Sequence, residues 1–124
     1  MPLFGSKPPT VRERIDDLLN DIAKASTSVR AVVLFRNDGL LVASQPADLR
    51  IEGASGQFTA ILESVTKLST KFGLGEVNYI LVSGENASFV IVRGKKLNLA
   101  VIGEKDLNLG FFLTQAESVL SQCE

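Results

Sequence analysis

The residue pattern predicts an α+β domain, an α/β/α sandwich built on one five-stranded, mostly antiparallel sheet. Three observations predict it. Three segments repeat their apolar residues with a helical period, five short runs are aliphatic or β-branched, and tight turns join most of those runs. The runs Ile80-Leu81-Val82, Phe89-Val90-Ile91-Val92 and Leu99-Ala100-Val101-Ile102 do not alternate with polar residues. Strands apolar on both sides need cover on both sheet faces, and the helices can supply it. A length of 124 residues fits one domain of this kind.

Residues 1–9 carry Pro2, Pro8, Pro9 and Gly5 and are expected to form a flexible arm, with the domain spanning 10–124. Thr10 and Glu13 form a capping-box pair, and Ile15, Leu18, Leu19 and Ile22 place an amphipathic helix over 11–25. Ala31 to Phe35 is a strand. Asp38-Gly39 turns it into Leu40 to Ala43, because Gly39 tolerates the positive φ of a tight hairpin, and Gln45-Pro46-Ala47-Asp48 ends that strand.

A long helix follows, with Phe58, Ile61, Leu62, Val65, Leu68 and Phe72 on its apolar stripe and Gly73 past its end. Its opening is unusual in Gly53, Ala54, Ser55 and Gly56. Such small residues mark either a frayed start or a close approach by another backbone. Strands are then expected over Val77–Val82, Ser88–Val92 and Leu97–Ile102, turning at Ser83-Gly84-Glu85-Asn86 and Gly94-Lys95-Lys96. Asp106 or Asn108 caps a last helix whose buried stripe is Leu109, Phe112, Leu113, Ala116 and Leu120.

Composition excludes several functions. The chain has no His, one Cys (Cys123) and a net charge of −1. Imidazole catalysis, a Cys-based zinc site and an intrachain disulfide therefore fall away, and no basic surplus suits nucleic acid. No apolar run reaches membrane-spanning length, MPLFGSKPPT lacks a signal-peptide core, and Pro2 excludes myristoylation, so a cytoplasmic protein with no membrane insertion is expected. Gly94-Lys95 lacks the context of a phosphate-binding loop, and Gly73-Leu74-Gly75 follows a helix rather than a strand. Ser55 has no base to activate it. Asp16-Asp17 and Glu104/Asp106 are the nearest approach to paired carboxylates, and Arg93, Lys95 and Lys96 make one small basic turn. No enzyme activity, catalytic residue, cofactor or metal is expected.

The order of elements and three local features resemble the Roadblock/LC7 family. They are the strand–turn–strand stretch Val32 to Ser44, the Gly73-Leu74-Gly75 break, and the Asn108-Leu109-Gly110 helix opening. The likeness covers roughly residues 11–122 and is nearest the small prokaryotic branch that includes MglB-type regulators. The resemblance implies strand order 2-1-5-4-3, one long helix on one face, two on the other, and a homodimer or a dimer with a paralogue. It implies that the long helix and the third strand meet their counterparts, with Ala54, Phe58, Ile61, Leu62, Val65, Val77, Tyr79 and Leu81 as the interface. The third strand carries no Lys or Pro to guard an open edge, which agrees with that placement. The function implied is a non-enzymatic scaffold or regulator that binds a Ras-like small GTPase and influences its nucleotide state or location. Stimulated hydrolysis need not use an inserted arginine; Arg36 and Arg50, at exposed turns, are the candidates if one is used, although exposed arginines usually serve solubility. The alternatives are a profilin- or PAS-like small-molecule sensor and a light-chain-type subunit of a larger assembly.

Overall fold

The computed structural model describes residue 8, residues 10–47 and residues 54–124. The expected arm over 1–9, apart from residue 8, lies outside the described residues, as do Asp48, Arg50 and Gly53. The elements run α1 (Val11–Lys24), β1 (Val29–Arg36), β2 (Leu41–Gln45), α2 (Ala54–Phe72), β3 (Tyr79–Ser83), β4 (Ala87–Arg93), β5 (Leu97–Glu104) and α3 (Leu109–Cys123). The five strands form one antiparallel sheet in the order β2-β1-β5-β4-β3.

Local chemistry accounts for the element ends. The Thr10 hydroxyl accepts the Glu13 N–H at 3.1 Å and starts α1. Of the two candidate caps for α3 it is Asn108 that serves, accepting the Phe111 N–H at 3.1 Å. At the end of α2, Gly73 takes φ 68° and the Leu74 N–H reaches back to the Ser69 carbonyl at 3.0 Å, a Schellman closure. Gly39 takes φ 89° in the β1–β2 turn.

Alternation across the strands sorts two cores. Val32, Leu34, Val90, Val92, Leu99 and Val101 face α1 and α3, meeting Leu19, Ile22, Phe112, Ala116, Val119 and Leu120. Val33, Phe35, Ile91 and Ala100 face α2 and meet Leu62 and Phe58. One long helix thus covers one face and two helices the other.

The strands differ from the sequence reading at their ends. β1 and β5 extend outward because Arg30 and Glu104, polar and therefore loop-like in hydropathy, bond across the sheet at 3.1 and 3.0 Å. β3 is shorter than expected. It starts at Tyr79, so Val77 precedes the strand, although the Asn78 carbonyl still accepts the Arg93 N–H at 3.0 Å. β3 also lacks the double cover its composition demands, for Leu81 and Val82 are 46% and 40% exposed.

Candidate interaction face

The incomplete cover of β3 and the uneven burial of α2 together define the candidate site. Phe58 anchors the first half of the helix, stacked on Phe35 at 5.6 Å between ring centroids and edge-on to Phe89 at 5.5 Å. Leu62 sits one turn on, buried in the same cluster. The second half is held by Ser69, which is buried and donates its hydroxyl to the Gly75 carbonyl. Helical spacing then divides the rest of α2 into two flanks. Thr59, Glu63, Thr66 and Lys67 line a shallow depression with Asn37 and Arg93. The opposite flank is apolar: Ala54, Ile61 and Val65 are half-buried, while Leu68 is 49% and Phe72 75% exposed.

Leu74, just beyond the helix, is 68% exposed, and β3 follows with Tyr79 and Leu81 also outward. Register places Tyr79 opposite Val92 and Leu81 opposite Val90, on the α1/α3 face, whereas Ile80 and Val82 lie on the α2 face. β3 pairs only with β4, which leaves its other edge unpaired among the described residues. An unpaired row of peptide N–H and C=O groups flanked by exposed aliphatic side chains is a template for another strand.

The eight residues expected at a dimer contact are therefore divided. Leu62 and Phe58 turn down into the sheet, where they are part of the fold's own core. Ala54, Ile61 and Val65 share the apolar flank of α2, Tyr79 and Leu81 stand on the opposite side of the sheet, and Val77 is half-buried in the link between. Leu68, Phe72, Leu74 and Val82 were not among them, yet they are among the most exposed apolar residues near this edge. Leu68 and Phe72 read as core because they keep the helical period. The available signal was a stripe longer than a five-stranded sheet can cover, with aromatic and aliphatic residues on both sides of the cap glycine.

The small residues opening α2 have a visible neighbour. A Cβ on Gly39 would lie 3.3 Å from the Gly56 Cα, so the β1–β2 turn closes onto the first turn of the helix. A Cβ on Gly56 itself would meet nothing within 4 Å, which leaves that side of the helix open.

Of the other charged candidates, Arg36, Glu104 and Asp16 make exposed ion pairs. Arg36 pairs with Asp38 at 2.9 Å, and Arg50 is outside the described residues. Glu104 is held by Arg30, and Asp16 lies 3.5 Å from Arg12. Among the described residues no three His, Cys, Asp or Glu gather as a metal site, and no helix is long and apolar enough to cross a membrane. Burial, with a smaller effect from the neighbouring Glu124 carboxylate, pushes the Cys123 thiol above its ordinary range, against a weaker pull from Arg14. Such a thiol stays protonated and unreactive at neutral pH.

The family model of the Roadblock/LC7 domain matches residues 15–103. The chain belongs to the Roadblock/LC7 family. Among solved structures, this Roadblock/LC7 domain is similar to an MglB described as having a tetrameric arrangement, with TM-score 0.80, 12% identity, and 99% of this chain and 94% of that chain covered. It is similar to Myxococcus xanthus MglB, with TM-score 0.75, 17% identity and coverage of 88% and 90%. A Roadblock/LC7 domain from Streptomyces avermitilis gives TM-score 0.69 at 18% identity, covering 86% and 92%. At such identities the likeness concerns the fold. No curated protein matches the chain in sequence.

Proposed function

We propose that this Roadblock/LC7 domain is a non-enzymatic scaffold that pairs through β3 and α2 with a second copy or a paralogue, and that the pair binds a Ras-like small GTPase. The observation that carries the pairing is the unguarded β3 edge beside the exposed side chains of Leu68, Phe72, Tyr79, Leu81 and Val82. A partner strand added at this edge satisfies the open peptide groups and extends the sheet across both chains. The apolar flank of α2 would then meet its counterpart and remove from water surface that the single chain cannot cover. Ala54, Ile61, Val65, Val77, Tyr79 and Leu81 remain in the proposed contact, with Leu68, Phe72 and Val82 added; Phe58 and Leu62 act by holding the helix in place.

The GTPase part rests on membership of the family. A regulator without catalytic groups of its own acts by binding one state of the GTPase, whether GTP-bound, GDP-bound or the transition state between them, more tightly than the others, or by carrying it to a place. The test is capture of Ras-like GTPases from the same genome, each loaded separately with GTP or GDP analogues, on the immobilised full chain. Capture that depends on the nucleotide supports the regulator reading, and equal capture supports a scaffold. No capture of any such GTPase overturns the reading in favour of a subunit with another partner.

A further inference from the structure

The β4–β5 turn makes an arrangement that the interaction face does not use. The backbone N–H groups of three consecutive residues, Lys95, Lys96 and Leu97, converge on the side-chain carboxylate of Glu124, at 3.1, 2.9 and 2.9 Å. Successive peptide N–H groups aimed at one point form a nest, a concavity whose partial positive charges favour an anion. The turn is shaped around that anion. A Cβ on Gly94 would lie 2.3 Å from the Glu124 Oε1, so the carboxylate occupies the space a side chain at 94 would fill. Leu97 spends its N–H on the carboxylate, while the Gly94 N–H closes the hairpin alone onto the Leu97 carbonyl at 2.9 Å.

Two shallow depressions meet at this point. One, of about 700 Å³, is lined by residues including Asn78, Arg93, Glu117 and Ser121. The other, of about 530 Å³, is lined by residues including Arg36, Asn37 and Lys96. Glu124 lines both. It is also largely exposed, so rotating it away from the turn uncovers three N–H donors without moving a strand.

We propose that the β4–β5 turn is a carboxylate-binding nest, closed in cis by Glu124, that takes a small carboxylate anion when Glu124 leaves it. The contact is closed in the structure, and a tethered carboxylate competes intramolecularly, so an outside anion needs excess to enter. While closed, the contact pins the end of α3 to the β4–β5 hairpin. The basic side chains of Lys95 and Lys96 add charge of the sign that draws an anion in.

The experiment follows the Lys95, Lys96 and Leu97 amide signals by ¹H–¹⁵N NMR in the full chain, titrated with sodium acetate against sodium chloride at matched ionic strength. In Glu124→Ala the three amides are expected to move away from their native positions and to return along a saturable curve as acetate is added. The native chain should need more acetate for the same response. Glu124→Gln keeps the shape of the side chain without its charge, and it should yield to acetate more readily than the native carboxylate does. The amides of Glu85 and Asn86 in the β3–β4 turn, which no side-chain carboxylate caps among the described residues, serve as the internal reference. Native amide positions in Glu124→Ala would show that Glu124 does not fill the nest. A response to acetate no larger than that to chloride in both variants would show that the turn is no carboxylate site. Either result overturns the proposal.

Discussion

Phe58 and Glu124 show how differently single residues register in a sequence. Phe58 keeps the helical period, and the structure places it between Phe35 and Phe89, so its role follows from spacing alone. Phe58→Ala is expected to cost about 3 kcal/mol, seen as a lowered midpoint in urea unfolding with little change in slope. Glu124 has no such signal, because its partner Leu97 lies 27 residues away and contributes only peptide N–H. Partial burial raises the Glu124 pKa, but the N–H groups of Leu97, Lys96 and Lys95 and the Lys95 charge outweigh it and hold the carboxyl below its ordinary range. The depressed value fixes the sign of the linkage. The contact stabilises the fold above the unfolded-state pKa and loses its contribution as pH falls through the lower folded value. Lys95, Lys96, Arg36 and Arg93 supply positive charge around the two depressions, and Asp38, Glu76 and Glu117 supply negative charge. Comparing thermal midpoints of the native chain and Glu124→Gln across acidic pH should show a gap at neutral pH that closes as the carboxyl protonates. A gap that widens in acid would contradict this sign.

At the scale of elements, α2 and β3 carry the adjoining apolar side chains that the fold leaves exposed. Most of the fold was legible because period and turn chemistry agree: the Gly39 hairpin, the Asn108 cap and the Gly73 closure stand where the residues point. Strand ends were less legible, since Arg30 and Glu104 look like loop residues until their mutual ion pair is seen. The apolar residues of the candidate face were legible, but not what covers them. Apolar periodicity identifies the residues that leave water, but it does not tell whether an own strand or another molecule receives them. Phe58 and Leu68 therefore look alike in sequence and differ in the structure. Substitutions on β3 separate the two cases. Tyr79 and Leu81 are 44% and 46% exposed, so Tyr79→Lys with Leu81→Lys leaves the single-chain core intact and places charge along the open edge. The double variant is expected to be folded by circular dichroism and monomeric by light scattering, and the native chain, on the proposed pairing, dimeric. A folded variant that stays dimeric would move the contact away from β3.

For the whole molecule, the question is how far stability belongs to one chain or to two. Phe72, at 75% exposed, contributes little to the single-chain core, yet it ends the apolar flank of α2. If that flank is buried between two chains, association stabilises the folded state by mass action, and the thermal midpoint rises with protein concentration. Phe72→Asp should remove this dependence and leave the midpoint near that of the native chain at high dilution, because an exposed apolar-to-charged change affects a monomer by only about 0.5 kcal/mol. Leu62→Ala should do the reverse. It hollows the core under α2, costing about 2–5 kcal/mol at every concentration, while the flank itself stays in place. The pair of variants thus distinguishes a helix that stabilises its own sheet from one that also stabilises a neighbour. A native midpoint independent of concentration down to the dilution limit, with Phe72→Asp indistinguishable from it, would mean that α2 and β3 face water in the working protein. The paired scaffold would then give way to a single-chain module that docks on a different kind of partner.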